Sequence, residues 1–138
     1  MILDANGLIV GRFATIVAKK AMLGEKIEVI NCEKAVISGK KEAIMEKYKK
    51  ARDRGAPLKG PYFPRMPDRF VRRIIRGMLP YKQPKGAQAF KRVMCYSGIP
   101  KKFEGKNIET ITNANSSKLP TLKKVTVRDI CKYLGGIK

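Results

Sequence analysis

The sequence contains no histidine and no tryptophan among its 138 residues, and only 11 of those residues are acidic. Histidine is the side chain that most often transfers protons at neutral pH, so its absence removes the commonest general base. The nucleophile and zinc-protease patterns G-x-S-x-G and H-E-x-x-H are absent as well. The few carboxylates mostly lie where they can cap helices or pair with lysine one turn away. These absences predict that the protein is not an enzyme.

Cysteine is also scarce, and its spacing is wrong for a metal site. Cys32, Cys95 and Cys131 are far apart and form no C-x-x-C pair, and no histidine exists to complete a zinc site. Cysteine behaves as a small apolar residue when it has no partner. We therefore expect buried free thiols in a reducing compartment, and no bound metal.

Long apolar runs are missing too. No stretch of about 18 apolar residues occurs, which is the length that a membrane-spanning helix needs. The N-terminal sequence "MILDANGLIVGR" has neither a basic leader region nor a small-residue cleavage site. We expect neither membrane insertion nor secretion, and thus a cytoplasmic protein.

The shortage of acids leaves a large excess of positive charge. Lysine and arginine total 31 against 11 acids, which gives a net charge of +20 and implies an anionic partner. Nucleic acid is the commonest such polyanion. The hydrophobic content of 43% is enough for a core, so we expect one folded domain over residues 1–138 to carry the charge.

Apolar spacing in the first half predicts alternating strands and helices. A strand "MILD" and a turn "ANG" precede a helix that ends at Gly24. The two apolar runs "KIEVINC" and "AVISG" follow, separated by only Glu33 and Lys34, so they form either a tight turn or one bent strand. A charged helix then begins at Lys40. The first helix has a buried stripe of Val10, Phe13, Ala14, Val17 and Ala21.

The second half continues the alternation after an irregular stretch. A short helix leads into a strand from Val93 to Tyr96, and residues 99–124 form a polar surface excursion. Thr126 and Asp129 resemble the capping box of a last helix. That helix would bury Val127, Ile130, Cys131 and Leu134. The pattern predicts an α/β sandwich with helices on both faces of a small sheet.

One segment combines strong charge with strong hydrophobicity. The stretch "DRFVRRIIRGMLP" holds four arginines and six large apolar residues in thirteen positions. Wound as a helix over 68–79, with Asp68 as its N-cap, it gathers the arginines into an arc of roughly 100°. Like charges one turn apart repel, so an external anion should compensate. Those arginines are Arg69, Arg72, Arg73 and Arg76, and they oppose Phe70, Val71, Ile74, Ile75 and Met78.

The neighbourhood of this helix favours RNA as the anion. The loop over residues 55–67 is rich in proline and glycine, and it carries Tyr62 and Phe63 as possible platforms for unpaired bases. Basic, aromatic loops that become ordered on a partner are typical of RNA contact. The flanking bases that would extend the surface are Lys59, Arg65, Lys82, Lys85, Lys91 and Arg92.

Three other interpretations remain open. Lys40 and Lys41 at a helix start could hold a phosphate or could be a solvated helix end. The glycine turn in "DANGLIVGR" suggests a nucleotide-binding enzyme, although neither G-x-G-x-x-G nor a P-loop occurs. A basic amphipathic helix can also lie on anionic lipid, as in a peripheral membrane protein. We expect no cofactor and no small-molecule substrate.

Three long stretches resemble the universal large-subunit ribosomal protein thirteen family. They read "RMPDRFVRRIIRGMLP" from Arg65, "DANGLIVGRFATIVAKK" near the start, and "VINCEKAVISGKK" between them. The resemblance covers at least Ile2 to Gly98. The wording "KGPYFPRMPDR" and "MLPYKQPKGAQAFKRVMCY" is similar to the archaeal and eukaryotic branch.

This resemblance implies a three-layer α/β/α fold around a four-stranded, largely parallel sheet. It also implies that the ligand is large-subunit ribosomal RNA, that the partners include neighbouring ribosomal proteins, and that the protein acts early in subunit assembly. The family's basic helix and its "GMLP" turn fall on Arg69 to Pro80. Function would then lie in binding and not in turnover.

Overall fold

The computed structural model describes residues 1–137, which form five strands and five α-helices. In chain order the elements are β1 (Ile2–Asp4), α1 (Val10–Met22), β2 (Ile27–Ile30), β3 (Val36–Ser38), α2 (Lys41–Asp53), α3 (Pro67–Gly77), α4 (Pro84–Lys91), β4 (Val93–Cys95), β5 (Lys124–Thr126) and α5 (Val127–Tyr133). The predicted α/β class is confirmed.

A three-stranded parallel sheet in the order β1-β2-β4 lies at the centre. Register places Leu3 beside Val29 and Val29 beside Cys95, and all three side chains are buried on one face. Because successive residues of a strand point to opposite faces, Glu28 and Met94 lie on the other face, where Met94 is exposed. The main hydrophobic core therefore lies on one side of this sheet.

The second face of the parallel sheet is covered by a short turn, although helices were predicted on both faces. Lys102, in the short 3-10 turn Lys101–Phe103, donates to the Glu28 carboxylate at 3.2 Å, so this turn lies over that face. Phe103 of the same turn is buried, although it lies outside the main core. A short turn thus stands where a helical third layer was expected.

The predicted single sheet of four strands is wrong. β3 leaves the parallel sheet and pairs antiparallel with β5, so the five strands form two sheets. Asn31 adopts a left-handed conformation with φ 55°, and a 3-10 turn over Cys32–Lys34 follows it. These residues turn the chain away from β2, which decides the open question between a turn and a bent strand in favour of the turn.

The helices form two groups around the two sheets. α1 packs against α3 and α4, and α3 also contacts β4, so these helices cover the buried face of the parallel sheet. α2 and α5 contact each other and β5. The stripe predicted for α1 is confirmed, since all five of its residues are buried. In α2 the buried residues are Ile44 and Met45.

The basic helix starts one residue earlier than predicted. α3 has Met66 as its N-cap and Pro67 at its first position, while Asp68 lies in the first turn and makes no capping bond. Proline suits the first helical position because its fixed φ is already helical. An N–H at that position would have no acceptor within the helix, so its loss costs nothing. The prediction of Asp68 as the N-cap is therefore wrong.

The C-terminal helix follows its predicted capping and burial. The Thr126 hydroxyl accepts a hydrogen bond from the Asp129 amide at 3.2 Å, and Val127, Ile130 and Cys131 are buried. The preceding polar excursion is less peripheral than expected, because it buries Phe103 and Ala114. Its backbone also bonds to the first strand, where the Glu109 amide donates to the Ile2 carbonyl at 2.8 Å.

Candidate nucleic-acid interface

Helix α3 has one side committed to the core. Phe70, Val71 and Ile75 are at most 1% exposed, so their burial anchors the helix to the α/β body. Ile74 is half-buried and Met78 is 42% exposed, which makes the apolar face narrower than predicted. The arginines occupy the remaining side of the helix.

Three of the four arginines lie over aromatic rings of their own chain. The guanidinium carbons of Arg72, Arg73 and Arg76 lie 4.1, 4.7 and 4.9 Å from ring centroids. A guanidinium over an aromatic face is attracted by the ring quadrupole, and its motion is restricted. The three partner rings are Phe90, Phe63 and Tyr81, in that order.

Within residues 1–137, the arginines of α3 have no acidic partners. The four ion pairs found in residues 1–137 are formed by Lys20, Lys50, Arg52 and Lys102 with nearby acids. The aromatic rings hold the guanidiniums in place, yet they leave the positive charge unneutralised. The cluster therefore remains available to an external anion.

These side chains surround a groove, which we call the arginine groove. It encloses about 290 Å³ between the loop before α3, α3 itself and the end of α4. Its walls combine cationic side chains with apolar ones. They are formed by Tyr62, Pro64, Arg69, Arg72, Arg73, Arg76 and Phe90. The structure thus brings together all four predicted helix arginines and one of the two predicted aromatics.

Arg72 has a structural role in addition to lining the groove. Its Nε donates to the Val93 carbonyl at 3.0 Å, and its Nη2 donates to the Phe90 carbonyl at 3.5 Å. These bonds join α3 to α4 and β4, which are its neighbours in the fold. Arg69 is exposed and has no such bond within the part of the chain that the structure describes. The four arginines are therefore not equivalent, although the sequence pattern alone implied that they were.

Arg92 is used inside the protein. Its Nη1 donates to the Ala21 carbonyl at 3.1 Å, in the last turn of α1. A cation at this position satisfies a free carbonyl and interacts favourably with the helix dipole. Arg92 therefore stabilises the end of α1, and it does not line the arginine groove.

The two predicted stacking residues differ in exposure. Tyr62 is 74% exposed, lines the groove, and donates its hydroxyl to the Leu58 carbonyl across the loop. Phe63 is half-buried, with its ring 6.0 Å from the rings of both Tyr48 and Phe70. Arg73 lies over Phe63 as well. Phe63 supports Arg73 from within an aromatic cluster, so Tyr62 is the exposed platform of the pair.

Arg65 lies beside a second cavity, of about 340 Å³, formed mainly by the loop. Tyr62 lines both cavities, so the two are adjacent. The pKa of Asp53, in the second cavity, is lowered chiefly by its hydrogen bond from Arg52, and the charge of Arg65 adds to this effect. Arg65 therefore faces a mixed-charge surface, in contrast to the arginine groove.

The predicted lysines divide between two regions of the surface. All of them are exposed, and none lines the arginine groove. Those close to it in sequence are Lys59, Lys82, Lys85 and Lys91. Lys40 and Lys41 lie at the start of α2, where the amide of Gly39 already donates to the Lys123 carbonyl at 2.9 Å. That amide precedes the helix and is not one of the free amides of its first turn, so the phosphate site at the start of α2 stays a prediction.

The glycine turn after β1 does not form a phosphate-binding loop. Phosphate loops depend on several free backbone amides that point to the ligand. Here the amide of each residue from 5 to 9 donates to an acceptor within the protein, at distances between 2.7 and 3.2 Å. For example, the Gly7 amide donates to the Lys34 carbonyl. The turn therefore serves the packing of α1 against the strands.

The cysteines have the burial that the sequence predicts. The three cysteines are free and buried, as predicted. Burial raises the pKa of the Cys131 thiol to about 12, and the Asp68 carboxylate adds to the rise. Across residues 1–137, no helix is long and apolar enough to cross a membrane, and no metal-binding cluster of His, Cys, Asp or Glu occurs.

Sequence reasoning missed three residues that shape the groove. Phe90 and Tyr81 hold Arg72 and Arg76, and Pro64 forms part of the wall. The contact of Phe90 with α3 could not be predicted from the sequence, because it depends on how α4 packs against α3. A useful signal was the presence of aromatic residues within the basic segments on both sides of α3.

Comparison with known proteins agrees with these features. A family model described as "Ribosomal protein L13" matches residues 1–102. The large ribosomal subunit protein uL13 of Archaeoglobus fulgidus is 44% identical over 135 residues, which cover 97% of this chain and 86% of that protein. Its counterpart in Methanococcus maripaludis is 45% identical over 141 residues, which cover 99% and 98%. The chain therefore belongs to the ribosomal protein L13 family.

Proposed function

We propose that this chain is a structural constituent of the large ribosomal subunit, where it binds ribosomal RNA. The observation that carries the proposal is the arginine groove, whose four guanidiniums have no acidic partners within residues 1–137. Relatives at 43–45% identity are named as large-subunit proteins, which supports the same conclusion.

Binding would depend on guanidiniums that are already ordered before RNA arrives. Arginine loses side-chain freedom when it binds a phosphate, and this loss reduces affinity. Stacking of Arg72, Arg73 and Arg76 on rings reduces that loss in advance. The N–H groups of Arg73 and Arg76 remain able to donate to phosphate oxygens, where paired charge-assisted bonds are strong. Arg72 already donates to two carbonyls of the protein. The rigid α/β body behind α3 fixes the direction in which the cluster points.

Peripheral lysines would extend this contact along the RNA. Exposed lysines contribute mainly long-range attraction and counterion release, with little geometric selectivity. We propose that Lys59, Lys82, Lys85 and Lys91 act in this way. A protein that binds RNA through one rigid face can stabilise a local RNA fold, which is what early subunit assembly requires. Neighbouring ribosomal proteins are the expected protein partners.

Two alternative functions receive less support. A nucleotide-binding enzyme would need free amides in the turn after β1, and those amides already donate within the protein. A peripheral membrane protein would need an exposed apolar face on α3, and that face is buried. Both observations favour binding of a nucleic acid by the opposite, cationic side of the helix.

Sedimentation of ribosomal particles tests the proposal. An affinity-tagged chain should migrate with the large subunit and with whole ribosomes in a sucrose gradient, and should be absent from the free small subunit. If the protein acts early, it should also be present in precursor particles of the large subunit. A tag that remains at the top of the gradient, in a strain that depends on the tagged copy, would refute the proposal.

A further inference from the structure

We infer that the arginine groove holds a single unpaired nucleotide of the RNA, with the base inside the groove and its phosphate on the arginines. This inference rests on the proposed function and deepens it, because it specifies which chemical part of the RNA the groove accepts. The alternative is a groove that contacts phosphates only, as many basic surfaces do.

Size is the first observation in favour of a nucleotide. The groove encloses about 290 Å³, close to the lower end of the roughly 300–1,000 Å³ usual for small-ligand pockets. A water molecule takes up about 30 Å³ of liquid, so the space is several times larger than a tetrahedral phosphate group needs. A base together with its ribose phosphate suits this volume better.

The chemistry of the walls is the second observation. A phosphate is bound best by N–H donors alone, yet Tyr62, Pro64 and Phe90 give this groove apolar surface as well. Tyr62 keeps its ring 74% exposed although a ring of that size is costly to leave in water. A nucleobase has apolar faces and a polar edge, so it complements a wall of rings and guanidiniums.

The arrangement of Arg72 gives the third observation. One face of its guanidinium lies on Phe90, at 4.1 Å, while its Nε is held by the Val93 carbonyl. The side chain nonetheless lines the groove. A flat cation fixed in this way offers a surface on which a base can stack. Arg69, exposed and free of bonds to the rest of the described chain, can reach the phosphate of the same nucleotide.

The concave form of the groove discriminates against a duplex. It is an open groove whose walls come from the loop before α3, from α3 and from α4. Bases within an A-form helix are stacked and paired, and side chains reach them poorly. A nucleotide in a loop or bulge can turn outward and enter. We therefore expect a preference for single-stranded RNA at this site.

A pair of charge-matched oligomers tests the inference on the full-length protein. The first is tetrauridylate, and the second is an abasic tetramer with the same ribose-phosphate backbone and no bases. NMR titration at low salt should show tetrauridylate binding at least about fivefold tighter, with shifts at the Nε–H signals of Arg69 and Arg72. Equal affinity, or no binding of tetrauridylate at millimolar concentration, would overturn the inference.

Variants locate the base within the groove. Tyr62→Ala should abolish the preference for tetrauridylate, while Tyr62→Phe should keep it, since the phenylalanine ring retains the stacking surface. Tyr133→Ala is the matched control, because Tyr133 is 47% exposed and lies outside the groove. A preference that survives Tyr62→Ala would place the base elsewhere, and the inference would be wrong.

Parallel titration with whole large-subunit ribosomal RNA separates the two proposals. If the abasic and uridylate tetramers bind equally while the large RNA still binds tightly, the inference fails and the proposed function remains. If the large RNA binds no better than a generic polyanion such as heparin, the proposed function fails as well.

Discussion

Arg69 and Arg72 lie one turn apart on the same helix, yet their surroundings give them different tasks. Arg72 donates to two backbone carbonyls and stacks on Phe90, whereas Arg69 is exposed. A hydrogen bond from a charged group typically contributes about 1.5–3 kcal/mol, while exposed side chains contribute little to stability.

Substitution of these two residues by glutamine should therefore separate folding from binding. Arg72→Gln should lower the free energy of unfolding by about 1–3 kcal/mol, because the Val93 carbonyl loses its charged donor. Arg69→Gln should change it by less than about 0.5 kcal/mol and should weaken RNA binding. Urea denaturation and RNA titration of both variants check this, and equal loss of stability in the two would contradict it.

The cysteines allow a test of burial at the same scale. The pKa of Cys131 is raised to about 12 by burial, so at pH 8 almost none of this thiol is in the reactive thiolate form. We expect a thiol reagent such as iodoacetamide to leave all three cysteines of the native protein unmodified, and to modify all three in guanidinium chloride. Rapid modification of Cys131 in the native state would show that the C-terminal helix is not packed as described.

Single residues also show where sequence reasoning reaches its limit. The four arginines were predicted from helical spacing alone, because their shared face depends only on local geometry. The separate roles of Arg72 and Arg92 could not be predicted, since their carbonyl partners come from distant parts of the chain. Phe63 was predicted to be an exposed stacking platform for a similar reason. Its aromatic neighbours, Tyr48 and Phe70, belong to two different helices, and only the fold brings them together.

Among the secondary-structure elements, the junction between α3 and α4 decides the form of the arginine groove. Gly86, in the first turns of α4, lies so close to Pro80 that an added Cβ would be 2.0 Å from the Pro80 carbonyl oxygen. Backbone cannot yield at that distance without moving the helix. The glycine therefore sets how α4, and with it Phe90, approaches α3.

Two glycine substitutions test this junction. Gly86→Ala should destabilise the protein by about 1–3 kcal/mol, as overpacking does, and should weaken RNA binding by displacing Phe90. Gly77→Ala is the control, because an added Cβ there meets nothing within 4 Å, and its stability should be equal or slightly higher. Thermal unfolding of the two variants measures the difference. A Gly86→Ala protein as stable as the wild type would refute the packing described here.

Elements with strong local signals were predicted well, and elements fixed by distant pairing were not. The buried stripe of α1 and the capping of α5 follow from spacing and from one hydrogen bond. β5 was not predicted because Lys124–Thr126 has little apolar character. This segment forms a strand because it pairs with β3. Because β3 pairs with β5, it is not part of the parallel sheet, which was predicted to have four strands.

For the molecule as a whole, the net charge of +20 and the arginine groove have separate consequences. General charge attracts any polyanion, and this attraction falls steeply with salt. The groove adds contacts of defined geometry, which should survive at higher salt. The sequence predicted the first consequence from composition, but the second depends on three segments that only the fold brings together.

The salt dependence of RNA binding is the most direct test of the central claim, that the α3 arginines are a principal RNA contact. Titration of large-subunit ribosomal RNA from about 50 to 300 mM KCl should give a slope of log K against log[salt] near −6 to −7, if about eight phosphates are contacted. The comparison uses a triple glutamine variant of Arg69, Arg73 and Arg76, which spares the structural Arg72, and a control triple variant with the same change in charge. The control positions are the exposed residues Arg12, Lys101 and Arg128.

We predict that the groove variant loses affinity at ~150 mM salt and that its slope becomes shallower by about 2–3, while the control stays close to the wild type. Both variants should unfold cooperatively at wild-type temperature within a few degrees, which shows that the fold is intact. Equal affinities and equal slopes for the groove and control variants would contradict the claim, because charge alone would then explain the binding.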